Sequence, residues 1–332
     1  MKEKNKGFTL VELLAVIVIL ALIALIATPI ILNVINDAKK QAAKDSAYGY
    51  MDAVEKYIVS SELEDKSIKD GTYSVEDLNS MGVSVKGSTP DNGTIKIESK
   101  TVKSYDIGID GYAVSNGKVE KVSTTKSFKN GTAVYYNPET ENKCSKEEAK
   151  STTGTKRGCM KWYVFNDKEG NATVNVILDH NTTAGVAYNS TGSNSEMKEV
   201  KIKLEEDTKD WKKTARLITA NEVAKITENT GFDASTENQD WFYLDSNNQT
   251  QIASSTNKSK YAWLFDYTNE CTNYGCNKPD SSNWGYWTST SYKDNSTYAW
   301  HVYRVGSLYN YYVFDNAIGV RPVITISKSN IS

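Results

Sequence analysis

The sequence predicts an α+β protein with one long N-terminal helix, a small antiparallel sheet behind it, and a second α+β region of short strands. Three observations lead to this fold class. No charged residue occurs between Leu13 and Leu32. Pairs of turn-forming residues then separate short alternating apolar runs, and all seven tryptophans fall later, between Trp162 and Trp300. We therefore divide the chain into a polar leader (1–7), a helix (8–62), a β-meander (63–125) and a C-terminal domain (126–332).

Length and charge restrict the classes of function. A chain of 332 residues is long enough for two or three domains. Its formal net charge of −2 gives no basic excess, so we expect no nucleic-acid partner. Neither a metal nor a cofactor is expected.

The four cysteines are Cys144, Cys159, Cys271 and Cys276. Pairing by proximity gives Cys144–Cys159 and Cys271–Cys276, which is one of three connectivities. The spacing of the first pair is too wide for the tight pairs of zinc fingers, and no histidine is near. Buried free thiols are the alternative to disulfides, and a membrane segment that exports the domain favours oxidation.

The uncharged run near the N-terminus predicts a single membrane-spanning helix. About 20 apolar residues at a rise of about 1.5 Å cover a hydrocarbon core of about 30 Å. Lysines before the run predict that the N-terminus stays cytoplasmic. A secretory signal peptide would have a shorter apolar core, of about 7–15 residues. A plain anchor explains the length but not Glu12, because a carboxylate in a membrane helix is costly and usually marks a function.

The residues Gly7-Phe8-Thr9-Leu10-Val11-Glu12 resemble the prepilin motif of type IV pilins and pseudopilins. A short basic leader precedes them, and Pro29 lies late in the apolar run, as in that family. The resemblance covers residues 1 to about 60. It implies that a prepilin peptidase cuts between Gly7 and Phe8 and methylates the Phe8 amine. It also implies partners, namely other pilin subunits and an inner-membrane assembly platform, and a location in the cell membrane and in a surface pilus.

Two residues of the helix have expected roles in assembly. Glu12 of one subunit would neutralise the Phe8 amine of a neighbour, which offsets the cost of burying an acid and fixes the axial register. The alternative is that Glu12 snorkels to the membrane interface. Pro29 removes a backbone hydrogen bond and should kink or locally melt the helix, unless it is a membrane proline without consequence.

Beyond the membrane the helix is expected to continue and to pack on the meander. Its apolar stripe has helical spacing and consists of Ala43, Ala47, Met51, Val54 and Ile58. The pairs Asn92-Gly93, Asp110-Gly111 and Asn116-Gly117 are hairpin signals between alternating runs. They predict three or four antiparallel strands.

The C-terminal domain shows strand and helix signals of its own. Asn130-Gly131 opens it, and the runs Trp162–Phe165 and Val174–Asp179 are typical of strands. Thr219 and Glu222 form the sequence pattern of a capping box, which predicts a helix that begins near Ala220.

A second resemblance covers roughly residues 260–327. The residues Trp284-Gly-Tyr-Trp287-Thr-Ser-Thr-Ser291, Tyr298-Ala-Trp300 and Gly319-Val-Arg-Pro-Val323 look like bacterial C-type-lectin-like modules, which are related in shape to formylglycine-generating enzymes. This implies a compact, loop-rich fold whose last strand carries Gly-Val-Arg-Pro-Val. Lys278-Pro279-Asp280 stands where calcium-dependent lectins carry a ligand tripeptide, so we expect calcium-independent binding.

A ligand-binding face is expected in the loops before the last strand, because tyrosine combines apolar area with a hydroxyl and suits a surface glycan or a protein. The predicted residues are Tyr292, Asp294, Asn295, Tyr309, Asn310 and Tyr311. The alternative is that about half of the tyrosines belong to the core.

No catalytic group is expected. Asp179 and His180 are adjacent on a predicted strand and should point to opposite faces, so they should not form a dyad. We interpret His180 as a surface residue at a strand end, His301 as structural, and Arg321 as a buried hydrogen-bonded side chain.

Together these patterns predict a minor type IV pilin that displays a lectin-like adhesion module and has no enzyme activity. The alternative is a pseudopilin of a type II secretion or DNA-uptake machine. DNA uptake would favour a basic stripe with interleaved aromatic residues, and no dense Lys/Arg run occurs in residues 126–332.

Overall fold

A computed structural model describes residues 9–63, 68–122, 127–151, 158–183, 185–237, 239, 242–243, 260–265, 285–303 and 306–331. Its longest element is helix α1 (Leu10–Leu63). The first sheet and its short helix follow as β1 (Gly71–Ser74), α2 (Val75–Met81), β2 (Asn92–Glu98), β3 (Thr101–Ile109), β4 (Tyr112–Ser115) and β5 (Lys118–Lys121). The mixed α+β fold with a long N-terminal helix confirms the predicted fold class.

The C-terminal half of α1 packs on this first sheet. All five residues of the predicted stripe are buried, and Tyr50 joins them. The sheet is a meander in which five strands pair in chain order. It has one strand more than the three or four that the sequence predicted, because β1 carries little apolar alternation. A capping box between Ser74 and Asp77 begins α2. We call α1, α2 and β1–β5 the first layer.

Two of the three predicted hairpin turns are present. Asp110-Gly111 and Asn116-Gly117 have positive φ angles and join β3 to β4 and β4 to β5. The prediction for Asn92-Gly93 is wrong, because both residues lie inside β2 and pair with β3. The turn between β2 and β3 is instead Ser99-Lys100, whose φ angles of 50° and 63° are those of a tight hairpin turn.

The C-terminal part contains two further sheets. Their strands are β6 (Ala133–Asn137), β7 (Asn142–Lys143), β8 (Met160–Phe165), β9 (Thr173–Leu178), β10 (Phe242–Tyr243), β11 (Gly285–Ser291), β12 (Tyr298–Tyr303), β13 (Ser307–Tyr312), β14 (Ile318–Gly319) and β15 (Val323–Ser327). The first sheet has the order β15-β9-β8-β6-β7, and the second has the order β10-β13-β12-β11-β14. The helices are α3 (Lys146–Ser151), α4 (Lys198–Thr208), α5 (Ala220–Ile226) and α6 (Ala262–Phe265), and the predicted capping box begins α5.

The segment from Gly319 to Val323 carries the chain from one C-terminal sheet to the other. Gly319 ends β14, and Val323 begins β15. The expectation that one strand carries all five residues is therefore wrong. Arg321, between them, is fully buried and donates hydrogen bonds to four main-chain carbonyls, those of Leu178, Asp179, Trp263 and Leu264. This confirms the predicted buried role of Arg321.

Polar contacts join the first layer to the C-terminal part. Asn92 Nδ2 donates to Thr173 O at 2.9 Å, and the hydroxyls of Thr94 and Thr325 share a hydrogen bond of 2.8 Å. Lys213 Nζ contacts Asp106 Oδ1 at 2.9 Å. Strands β2 and β3 are therefore covered on both faces. Helix α2 contacts β2 and helix α1 contacts β3 on one side, and β9 and β15 contact both strands on the other.

A buried ion pair lies at the same boundary. Arg216 donates two hydrogen bonds to the Glu222 carboxylate, at 2.7 and 2.6 Å, and its Nε lies 3.4 Å from Thr94 Oγ1. Burial and the charge of Glu222 raise the pKa of the nearby Asp77 carboxyl to about 6, although Ser74 and Arg216 act in the opposite direction. The boundary therefore contains charges that the fold must keep paired.

Candidate functional sites in the helix and the C-terminal sheet

The N-terminal half of α1 projects from the rest of the molecule. An 18-residue window of this helix has a mean hydropathy of 3.2, and none of its residues is buried in the rest of the molecule. By length and composition the helix is therefore long and apolar enough to cross a membrane. Its large apolar side chains are exposed from Leu10 to Ile35, as Leu25 illustrates with 74 % exposure. This surface needs either lipid or other helices to cover it.

Thr9 and Glu12 cap the start of this helix. The Thr9 backbone N–H and hydroxyl both donate to Glu12 Oε2 at 2.8 Å, and the Glu12 N–H donates to Thr9 Oγ1 at 3.3 Å. This reciprocal pattern is a capping box. The signal was present in the sequence as Thr9-x-x-Glu12, and the sequence interpretation missed it. Glu12 thus has a local hydrogen-bonding role and remains exposed, while Gly7 and Phe8 lie outside the described residues.

Pro29 does not interrupt the helix. Helical structure is continuous from Leu10 to Leu63, so the expected local melting does not occur. Just before the proline, the Thr28 hydroxyl donates to Ala24 O at 2.6 Å. Pro29 itself supplies no N–H for the next carbonyl, that of Leu25.

The six predicted ligand residues do not share one surface. Tyr309 pairs across the strands with His301, and Asn310 pairs with Trp300. Neighbouring residues of a strand point to opposite faces, so Tyr309 and Tyr311 lie on one face of the sheet and Asn310 on the other. Tyr292 packs its ring on Trp300, on the Asn310 side. Asp294 and Asn295 lie in the turn between β11 and β12 and are exposed.

A row of aromatic rings runs along the Asn310 side of this sheet. Ring centroids are 6.2 Å apart for Tyr292 and Tyr298, 4.6 Å for Tyr298 and Tyr312, and 5.2 Å for Tyr312 and Phe314. We call these four residues the aromatic row. Its outer members, Tyr312 and Phe314, are 41 % and 54 % exposed. A hydrogen bond between the Tyr298 and Tyr312 hydroxyls raises the pKa of Tyr298.

The two histidines are both buried. His301 is packed among the rings of Trp287, Tyr303, Tyr309 and Tyr311, and burial lowers its pKa to about 3. This agrees with a structural role for His301. His180 is fully buried, so its interpretation as a surface residue is wrong.

Asp179 and His180 lie beyond the end of β9, where strand alternation no longer separates their side chains. Their nearest N and O atoms are 3.9 Å apart, and Lys161 Nζ lies 3.5 Å from Asp179 Oδ1. Burial raises the pKa of Asp179, but His180, Lys161 and Arg321 outweigh it and lower the pKa overall. The Asp179 carboxylate is therefore held charged by its neighbours.

Cys144 and Cys159 form a disulfide that ties the segment after β7 to the start of β8. Cys271, Cys276 and Lys278 lie outside the described residues, as does Trp284. Among the residues that the structure describes, no group of three or more His, Cys, Asp or Glu side chains could hold a metal ion.

A cleft of about 660 Å³ lies between the first layer and the C-terminal part. Tyr57 and Tyr73 line it from the first layer, and Tyr188 and Thr290 line it from the other side. Lys201 Nζ crosses it to donate to Asp70 O at 3.3 Å. The volume is in the range of small-molecule pockets. Because its walls come from distant parts of the chain, sequence reasoning missed this cleft.

A comparison with protein families gives a match that includes the first part of α1. The prokaryotic N-terminal methylation motif matches residues 2–28. The protein is type IV pilin-like at its N-terminus. No curated protein and no solved structure matches the chain.

The motif and the helix both point to a membrane anchor at the N-terminus. The motif implies processing by a prepilin peptidase, assembly with pilins, and anchoring in a membrane through the helix. The matched residues end one position before Pro29. They include Thr9 and Glu12, so the capping box lies within the motif. The match does not reach the first sheet or the C-terminal part.

Proposed function

We propose that this pilin-like protein is a minor type IV pilin that displays its C-terminal part as a surface-binding module. The observation that carries the proposal is the N-terminal methylation motif on a helix with two different halves. The first half is apolar and exposed, and the second half is packed on the first sheet. A helix of this kind can leave the membrane and enter a helical filament without unfolding the layer attached to it.

In such a filament Glu12 serves the neighbouring subunit. Its carboxylate already accepts two hydrogen bonds from Thr9, and it is accessible on the helix surface. The N-terminal amine created by cleavage before Phe8 is the cation that it would neutralise. Burial of a lone carboxylate among apolar helices would be costly, so this pairing would select one axial stagger.

The processing step has a direct test. N-terminal sequencing of the surface form should give N-methylated Phe8, and Glu12→Ala should leave cleavage intact but reduce incorporation into sheared pili. Glu62→Ala, near the other end of the same helix, is the control. A mature start after Ala24 or Ala27 would show a signal peptide and refute the pilin proposal. Normal incorporation of Glu12→Ala would refute the charge pairing alone.

Comparing sheared pili with the remaining cell envelope distinguishes a minor pilin from the alternative, a pseudopilin. A minor pilin should appear in filaments sheared from the cell surface, at a lower copy number than the main subunit. A pseudopilin of a secretion or DNA-uptake machine should stay with the cell envelope. Recovery only in the envelope fraction, in cells that make pili, would therefore favour the pseudopilin.

The binding surface that we propose is the aromatic row, which replaces the six-residue face expected from the sequence. Stacked and exposed rings at the end of a sheet offer apolar area next to hydroxyls, which suits a glycan or a protein surface. The lectin-like resemblance of residues 260–327 supports the same role. Because no carboxylate cluster accompanies the row among the described residues, we expect binding without calcium.

Attachment assays with matched variants test the row. Tyr312→Ser with Phe314→Ser should reduce attachment of piliated cells to host surfaces, while Tyr309→Ser should not. Tyr309 is the control because it is 36 % exposed, close to the 41 % of Tyr312, but lies on the opposite face. Loss with Tyr309→Ser alone would move the site to the other face. Loss of attachment on adding a chelator would overturn the calcium-free proposal.

A further inference from the structure

A lysine and an aspartate meet in a fully buried site near the end of the chain. Lys328 Nζ lies 2.9 Å from Asp167 Oδ1, and both side chains are 0 % exposed. Lys328 belongs to the 3-10 turn that follows β15, and Asp167 follows β8 in the loop before β9. Removing two opposite charges from water is expensive, and close approach repays this cost only when hydrogen bonds satisfy the remaining polar atoms.

The contact departs from an ordinary ion pair. Asp167 Oδ1 has no hydrogen-bond partner in the described part of the chain, although the lysine nitrogen is so close. The other oxygen, Oδ2, accepts the Phe128 N–H at 2.8 Å. Lys328 Nζ donates instead to the main-chain oxygen of Lys168 at 3.0 Å. The close contact between Nζ and Oδ1 therefore does not have the geometry of a hydrogen bond.

Another buried pair in the same protein shows the difference. Lys213 donates a hydrogen bond of 2.9 Å to Asp106 Oδ1 and forms a second contact of 3.0 Å with Glu141. Ser115 and the Thr214 N–H also donate to the Asp106 carboxylate. This site satisfies both oxygens as a charged group, whereas the site at Lys328 does not.

We propose that Lys328 and Asp167 join in an intramolecular amide bond in the mature protein. A proton passes from the ammonium to the carboxylate, which leaves a neutral amine and a carboxylic acid. The amine lone pair attacks Asp167 Cγ and forms the C–N bond. The C–O bond to one carboxyl oxygen breaks, and this oxygen leaves as water with the second amine proton. One ammonium and one carboxylate thus become one amide and one water, and no oxidant or other reactant is needed.

The surroundings favour each part of this step. The fold holds the two groups within bonding reach, which removes the entropic cost of bringing them together. The Phe128 N–H is placed to stabilise negative charge that develops on Oδ2 during the attack. The Lys168 carbonyl can accept the N–H of the product amide.

The product would convert a costly buried charge pair into a neutral amide. It would also tie the last turn of the chain covalently to the loop before β9, next to the strand β15 that contacts the first layer. The C-terminal residues could then not peel away from β9 under load. A link at this position has a mechanical use in a protein exposed outside the cell.

Mass spectrometry of the purified full-length protein tests the proposal. After reduction and tryptic digestion, we expect a branched peptide in which residues 162–168 are joined to residues 305–332, at a mass lower by one water than the sum of the two. Trypsin does not cut at an acylated lysine or before Pro322, so residues 329–332 should not be released. The peptides that contain Lys213 and Asp106 should be recovered unlinked.

Lys328→Arg is the matched variant, because arginine keeps the positive charge beside Asp167 but is too weak a nucleophile to form the amide. Its digest should contain the peptide of residues 162–168 in free form. Lys213→Arg should leave the branched peptide intact. Release of residues 329–332 from the wild-type protein, without any branched peptide, would overturn the proposal. A persistent loss of one water from residues 162–168 in Lys328→Arg would overturn it too.

Discussion

Replacing Arg216 by methionine tests how much the buried ion pair beside the first layer contributes to stability. The Arg216 and Glu222 side chains are 1 % and 5 % exposed, and two short hydrogen bonds link them. Removing the cation leaves the Glu222 carboxylate buried without its partner, next to Asp77. Breaking a buried pair in this way costs about 3–5 kcal/mol. We expect Arg216→Met to lower the free energy of unfolding by that amount.

The assay is urea unfolding of the full chain in detergent, monitored by tryptophan fluorescence. Lys225→Met is the control. Lys225 lies on α5, as Glu222 does, and pairs with Glu76 of the first layer, but the side chains of Lys225 and Glu76 are 41 % and 57 % exposed. An exposed pair contributes less than about 1 kcal/mol. The double variant Arg216→Met/Glu222→Met should recover part of the loss, since it leaves neither charge of the pair buried without its partner. If Arg216→Met costs no more than Lys225→Met, the buried pair contributes no more to stability than an exposed one.

Two further predictions concern pH and backbone geometry. The pKa of Asp77 is about 6 in the folded protein against an ordinary value of 3.8, so the folded state binds the proton more tightly and stability should fall as the pH rises from about 4 to about 6. The difference between the two pKa values corresponds to about 3 kcal/mol. Asp77→Asn should flatten the plot of the urea midpoint against pH in this range, and an unchanged plot would contradict the assignment to Asp77. Gly93→Ala should cost about 1–3 kcal/mol, because its φ is +147° and a Cβ would lie 2.5 Å from Asp106 O. Gly87→Ala, at φ +125° with nothing within 4 Å of a Cβ, is the control, and an equal loss in both variants would show that only backbone strain acts.

The elements that sequence reasoning predicts well depend on local patterns. The stripe from Ala43 to Ile58 repeats every three or four residues, so its burial follows from helical geometry alone. The α5 capping box is equally local, since Thr219 and Glu222 satisfy each other. Asn92-Gly93 shows the limit of such patterns. The same dipeptide suits a hairpin turn or a strand position where a Cβ would collide with the neighbouring backbone, and only the pairing with Asp106 and Ile107 decides between them.

The candidate site was harder to predict because its residues are distributed by strand register. Strand alternation alone separates Tyr309 and Tyr311 from Asn310, but the row also needs Tyr298 opposite Tyr312, which depends on how β12 pairs with β13. Phe314 follows β13 and carries no signal of its own. Contacts such as Lys213 with Asp106 join residues that are 107 positions apart, and no local pattern reports them.

The sheet of the first layer is covered on both faces, and this fixes how the C-terminal part is oriented relative to the helix. Strand β3 contacts α1, and both β2 and β3 contact β9 and β15. The helix and one C-terminal sheet therefore meet through a shared sheet and not only through a linker. The aromatic row therefore has a fixed orientation relative to the axis of α1. In a helical array of such subunits, every copy would hold its row at the same angle to the axis of the array. A pull on the row would reach the helix as shear across packed strands.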